Sequence, residues 1–132
     1  ITNKQNRQEK FKDTPEVDSS SLELTTLDKE FLDKIITLIN EHIDDEKFDI
    51  DSLANEGAMS RSSLYRKIKV ITGMSPVELV RNTKLKKSYE LLREGRMNIS
   101  QVAYAAGFSN PKYFSTCFKE QFGISPRDVP KE

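Results

Sequence analysis

Apolar residues return along most of this chain at spacings of three and four, the period of a helix with one buried face. The first such stretch runs from Asp28 to about Asp45, with Phe31, Leu32, Ile35, Ile36, Ile39 and Ile43 on one stripe. Asp28 is placed to cap it. Asp44, Asp45 and Glu46 oppose the negative end of a helix dipole, so the helix should stop there. Asp51 or Ser52 then caps a short helix ending before Gly57-Ala58-Met59. Ser60 caps a second, Arg61 to about Thr72, with Leu64, Ile68 and Ile71 inward and Gly73 after it. Pro76 suits a first helical turn. A helix of about 17 residues follows from Val77 to Arg93, roughly 25 Å long. Val77, Val80, Lys84, Ser88, Leu91 and Leu92 mark one face of it, and Gly95 closes it. A short helix headed by Ser100 comes next, then a break at Gly107-Phe108-Ser109. Asn110 caps the last helix, with Pro111 at its first position, a stripe of Tyr113, Phe114, Cys117 and Phe118, and Gly123 at its end. Residues 1–26 show no such period. Their Pro15 and Ser19-Ser20-Ser21 predict a flexible linker from an upstream domain.

The pattern is a repeat. Leu53-Ala54 matches Val102-Ala103, and Ser60 matches Ser109, 49 positions on. Leu64 matches Phe114, Ile68 matches Phe118, Lys69 matches Lys119, Gly73 matches Gly123, and Ser75-Pro76 matches Ser125-Pro126, 50 positions on. One supersecondary unit therefore occurs twice. Each copy is a short helix, a tight turn and a longer helix. Ala54 and Ala103 are small enough to let the two helices approach. Gly107 suits the turn, and Ala58, after Gly57, suits it less. The expectation is an all-α chain with two helix-turn-helix units, about 51–73 and 100–123, on a linker helix at about 76–94.

Composition sharpens this. Hydrophobic residues are 36% of 132, which suits one modest core rather than two independent ones. The formal net charge is +0, but residues 1–47 hold 7 Lys and Arg against 12 Asp and Glu, and residues 48–132 hold 14 against 9. The halves carry −5 and +5, which makes the second a candidate for nucleic acid. Between Arg61 and Lys87 stand eight cations and one acid, Glu78. A solvated helix face would alternate its signs more evenly. The single cysteine, Cys117, allows no internal disulfide and points to a reducing cytoplasm. No apolar run reaches the roughly 18 residues of a membrane span. The chain starts at Ile1, and the expectation is a segment of a longer protein.

At Ile99-Ser-Gln-Val-Ala-Tyr-Ala-Ala-Gly-Phe-Ser109, Tyr113-Phe114 and Phe118-Lys-Glu-Gln-Phe-Gly-Ile-Ser-Pro126 the sequence resembles the AraC/XylS family of bacterial transcription activators. Met59-Ser-Arg-Ser-Ser-Leu-Tyr-Arg66 and Gly73-Met-Ser-Pro76 extend the likeness, which spans about residues 28–129. It implies about seven helices in a homeodomain-like arrangement, with a domain over 27–132. It also implies recognition helices at 61–72 and 111–122, with base-reading positions on Ser62, Tyr65 and Arg66, and on Pro111, Lys112, Ser115 and Thr116. Arg61, Lys67, Lys69, Arg81, Lys84 and Lys119 are then candidates for phosphates. Lys84 stands where the family often has Arg, and Ser88 where it often has Ala. The second recognition helix offers Lys112 and Lys119 as its cations, so it is expected to hold DNA more than read it. The tail Arg127-Asp-Val-Pro130 is short for the family's last helix. The acidic tether resembles the output end of hybrid two-component sensor-regulators. In that arrangement a receiver domain lies upstream and the full-length protein is membrane-anchored.

The resulting expectation is sequence-specific binding of duplex DNA and regulation of transcription, with RNA polymerase as a further partner and dimerisation through regions beyond this segment. No cofactor and no metal are expected. An enzyme is disfavoured on inventory: one Cys and one His far apart, no phosphate-cradling glycine loop, and no carboxylate pair that stands out. His42 reads as a surface histidine. The phenylalanines read as core rather than as stacking platforms for single strands. The alternative is a helical protein-interaction module using the Phe31–Ile43 stripe, with DNA binding weak or dependent on an upstream dimerising or receiver domain.

Overall fold

A computed structural model describes residues 25–132 except Glu46. Among the described residues the chain forms six α-helices and one 3-10 turn. These are α1 Thr26–Glu41, α2 Ile50–Glu56, α3 Arg61–Thr72, α4 Pro76–Glu94, α5 Ile99–Ala105, α6 Pro111–Phe122 and the 3-10 turn Pro126–Asp128. The expected tether lies outside the described residues, save that α1 already begins at Thr26.

α3, α4 and α6 begin where the sequence places them, and the caps of the other three helices differ. Ser60 accepts from Ser63 N, and Asn110 from Lys112 N and Tyr113 N, as expected. α1 is capped by Thr25, which accepts from the backbone of Asp28 itself. α2 is capped by Asp49 and α5 by Asn98, each extended where Asp51 and Ser100 are already helical. In each case an earlier Asx or Thr side chain reaches the orphan N–H groups of the first turn, so the helix starts sooner. Ser75 and Glu78 form a reciprocal capping box at the head of α4.

The core is two clusters strung on α4. Leu32, Ile35 and Ile39 of α1 pack with Leu53, Ala54, Leu64, Ile68, Met74 and Leu79. Leu85, Leu91 and Leu92 pack with Val102, Ala103, Phe108, Phe114, Cys117, Phe118 and Val129. The expected single core is therefore divided, and its halves share one helix. Most of the α1 stripe is spent on the first cluster, with Leu32, Ile35 and Ile39 buried and Phe31 and Ile36 half-buried against it. In the second cluster Phe108, Phe114, Phe118 and Phe122 contact one another at ring-centre distances of 4.4–5.6 Å. Tyr113 is corrected: it is 52% exposed and turns outward.

α4 also differs from its expected face. Val77 is 57% exposed, while Leu79, Thr83, Leu85, Ser88, Leu91 and Leu92 are buried. At about 100° per residue, Pro76, Leu79 and Thr83 share one side, and Leu85, Ser88 and Leu92 lie roughly opposite. The helix buries one side in the first cluster and the other in the second. Its buried hydroxyls are satisfied by its own backbone: Thr83 Oγ1 donates to Leu79 O at 2.8 Å and Ser88 Oγ to Leu85 O at 2.6 Å. The tail folds back, with Glu132 N donating to Arg93 O at 2.9 Å. No helix among the described residues is long and apolar enough to cross a membrane.

Candidate nucleic-acid interface

The two repeats superimpose in their hydrogen bonds as well as their letters. In the first turn Ala58 N donates to Asn55 O and Met59 N to Ala54 O, both at 3.0 Å. In the second, Gly107 N donates to Tyr104 O at 3.0 Å and Phe108 N to Ala103 O at 2.9 Å. Ala58 and Gly107 both hold positive φ, 58° and 95°. Ala54 and Ala103 are buried where the helices of each unit cross. Each unit is thus a helix-turn-helix whose second helix buries one side and shows the other.

On α3, Leu64, Ile68 and Thr72 face inward. Arg61, Ser62, Tyr65, Arg66, Lys69 and Val70 line one shallow outward hollow. The structure therefore brings all three first-half base-reading candidates onto one surface, together with Arg61 and Lys69. Val70 was missed by the sequence reading. It is 79% exposed, an apolar side chain on an otherwise polar face, one turn beyond Arg66. Its signal was a valine outside the inward Leu64–Ile68 register. Arg61 lies 3.5 Å from Asp51, and both side chains are well exposed, so the pair is weak and exchangeable.

Lys67 leaves this surface. Its ammonium stands 4.6 Å from the centre of the Phe31 ring, over α1. Lys84 does too: its Nζ donates to Gly107 O at 3.0 Å, across the seam between the two units. Arg81 lines a groove of about 310 Å³ at that seam, with Val77, Val80, Phe108, Ser109 and Tyr113. Lys67 and Lys84 therefore carry intramolecular work that the sequence reading did not give them.

On α6, Phe114, Cys117 and Phe118 face inward. Lys112, Thr116 and Lys119 are exposed, and Pro111 and Ser115 are half-buried. Thr116 Oγ1 donates to Lys112 O at 3.2 Å, which occupies its proton within the helix. Lys119 sits in the last turn, where a cation complements the helix dipole. α6 shows two cations against the Arg61, Arg66 and Lys69 set of α3. At α2, Asp49 is held below its ordinary value near 3.8, chiefly by hydrogen bonds from the Ser52 backbone and hydroxyl.

The comparisons with known proteins agree with this geometry. A helix-turn-helix domain family is matched over residues 53–132. The histidine kinase P4 of Formosa agariphila is 32% identical over 126 residues, 96% of this chain and 9% of the kinase. The HTH-type transcriptional activator RhaS of Escherichia coli is 33% identical over 98 residues, 74% of this chain and 35% of the activator. The chain thus spans only a small part of the length of either relative. Among solved structures, an AraC-type transcriptional regulator from Chromobacterium violaceum is similar at a TM-score of 0.73 and 27% identity, over 80% of this chain and 93% of that one. The DNA-binding domain of AdpA, solved with a target DNA, is similar at 0.65 and 28%, over 72% and 85%. A doubled helix-turn-helix on one linker helix, matched over most of its length, places this chain in the AraC/XylS-type helix-turn-helix family.

Proposed function

We propose that this chain binds double-stranded DNA sequence-specifically and so regulates transcription. α3 and α6 enter successive major-groove segments about one turn, roughly 34 Å, apart. The observation that carries this is the shared face of α3, where Ser62, Tyr65, Arg66, Lys69 and Val70 are all exposed and line one hollow. Arg66 is assigned a bidentate contact to guanine O6 and N7, and Tyr65 a thymine methyl, with Ser62 permitting close approach. Arg61, Lys69, Arg81, Lys112 and Lys119 are assigned to phosphates. Pro111, Ser115 and Thr116 present the second reading surface, which contributes more grip than discrimination. Lys67 and Lys84 are not assigned to phosphates here, because Lys67 Nζ lies over the Phe31 ring and Lys84 Nζ donates to Gly107 O.

The reading unit covers residues 27–132, and the residues before it tether it to an upstream sensor and receiver. The match to a histidine kinase along nearly the whole of this chain supports that arrangement. RNA polymerase is the further partner such a regulator needs. No catalytic step is assigned.

Selection from a random duplex library, followed by salt titration of the winner, tests the proposal. A site spanning two adjacent groove segments, with affinity falling linearly in log salt, is expected. No enriched sequence, or a salt-independent affinity, would refute it.

A further inference from the structure

The turns of the two units differ in one respect that the repeat itself does not explain. Both hold a left-handed residue at the same place, and the first holds it with alanine, Ala58. Alanine holds its place at φ 58°, whereas Gly107 lies at 95°, beyond the left-handed range that residues with a side chain readily adopt. Gly107 answers a second need as well. A Cβ built on it would overlap the carbonyl oxygen of Ile43 and come within 3.1 Å of Lys84 Cε. Ile43 follows the end of α1, is 8% exposed, and belongs to the acidic first half of the chain. Three separate segments thus meet at Gly107: the turn after α1, the middle of α4, and the second helix-turn-helix. Lys84 ties them, donating to Gly107 O at 3.0 Å from the point where α4 switches its buried side.

We propose that this Ile43–Lys84–Gly107 seam fixes the second reading head relative to the first, and that Lys84 is a positioning residue setting the operator spacing the protein accepts. The proposal rests on the two-headed reading above. Two heads on one rigid frame act at high effective concentration only at the spacing that frame allows. One inserted base pair moves the second box by about 3.4 Å and turns it by roughly 35°, which a rigid frame cannot follow. Without the Lys84 bond the contact at Gly107 loses its tie, and the second unit can pivot about α4.

The test uses the whole chain, its selected two-box site, the same site with one base pair inserted or deleted, and a probe whose second box is scrambled. The native chain should lose about tenfold or more on the misspaced sites. Lys84→Met should reduce that penalty to about threefold and leave binding to the one-box probe unchanged, while Lys84→Arg should keep the native profile. A uniform loss on every probe would make Lys84 a phosphate contact and overturn the proposal. So would a native spacing penalty in a folded Lys84→Met chain. A native chain indifferent to spacing would overturn both this proposal and the two-headed reading. No two-box site at all would do the same. The second measurement needs no Lys84 variant and no DNA: spin labels at positions 69 and 119, with Cys117 replaced by Ala, should give one narrow distance distribution. A broad one would refute a fixed seam even if Lys84→Met failed to fold.

Discussion

Single residues carry the clearest contrasts. Arg66 and Lys69 share the outward face of α3, but a planar guanidinium reads an edge while a flexible ammonium neutralises a charge. Arg66→Ala should therefore cost about 1–3 kcal/mol and relax preference at one base pair. Lys69→Ala should weaken binding evenly across sequences and flatten the salt slope by about one. Competition assays over all single-base variants of the selected site separate the two, and an even loss for Arg66→Ala would remove its reading role. The turns make a second pair. Ala58→Gly relieves a left-handed alanine and should stabilise by about 1 kcal/mol. Gly107→Ala forces apart the Ile43 carbonyl and should destabilise strongly, both read by denaturant midpoints. The sequence showed which position of each turn is special. It could not show why the second needs glycine, because Ile43 lies 64 positions away in the chain.

Elements were legible in proportion to how uniformly each buries one side. α1, α3 and α6 face a single cluster, so most of each expected stripe is buried: Leu32, Ile35, Ile39 and Ile43, then Leu64 and Ile68, then Phe114, Cys117 and Phe118, while Phe31, Ile36 and Ile71 are half-buried and Tyr113 turns outward. α4 turns one side to each cluster, and no single stripe describes it. Val77 was misplaced for that reason, whereas Val80 packs half-buried against the first cluster and Ser88, Leu91 and Leu92 are buried as expected; Leu79, Thr83 and Leu85 fell outside the expected face. Short helices were misjudged at their starts, since several Asx and Ser residues compete to cap a seven-residue helix. At α2 the winner has a pH consequence. The folded carboxyl of Asp49 lies below its ordinary value near 3.8, so its contribution is complete above that value. It is lost as pH falls through the lower folded value. Asp49→Ala should thus lower the Tm at neutral pH, and the gap to the native chain should close in strong acid. Asp49→Asn, which keeps an acceptor, should narrow the neutral gap. A gap that persists unchanged at pH 2 would show that the charge of the cap is not what stabilises α2.

At the scale of the whole molecule the question is whether two clusters make one cooperative unit. Each is small, and neither encloses α4 by itself. The half of α4 that serves the first cluster ends at Thr83, and the half that serves the second begins at Leu85. Losing either cluster would leave half of a 19-residue helix exposed, and a marginal helix in water does not persist without packing. The seam at Gly107 adds a direct link from the end of α1 to the second unit. One transition is therefore expected in calorimetry, with calorimetric and van't Hoff enthalpies equal. Leu32→Ala in the first cluster and Leu85→Ala in the second should each cost about 2–5 kcal/mol, and each should move that same transition. Two peaks, with each substitution shifting only its own, would mean that the units fold separately and meet DNA as beads on a flexible helix. In that case a single preferred operator spacing would have no structural origin in the free protein, and cooperativity between the heads would have to arise on the DNA.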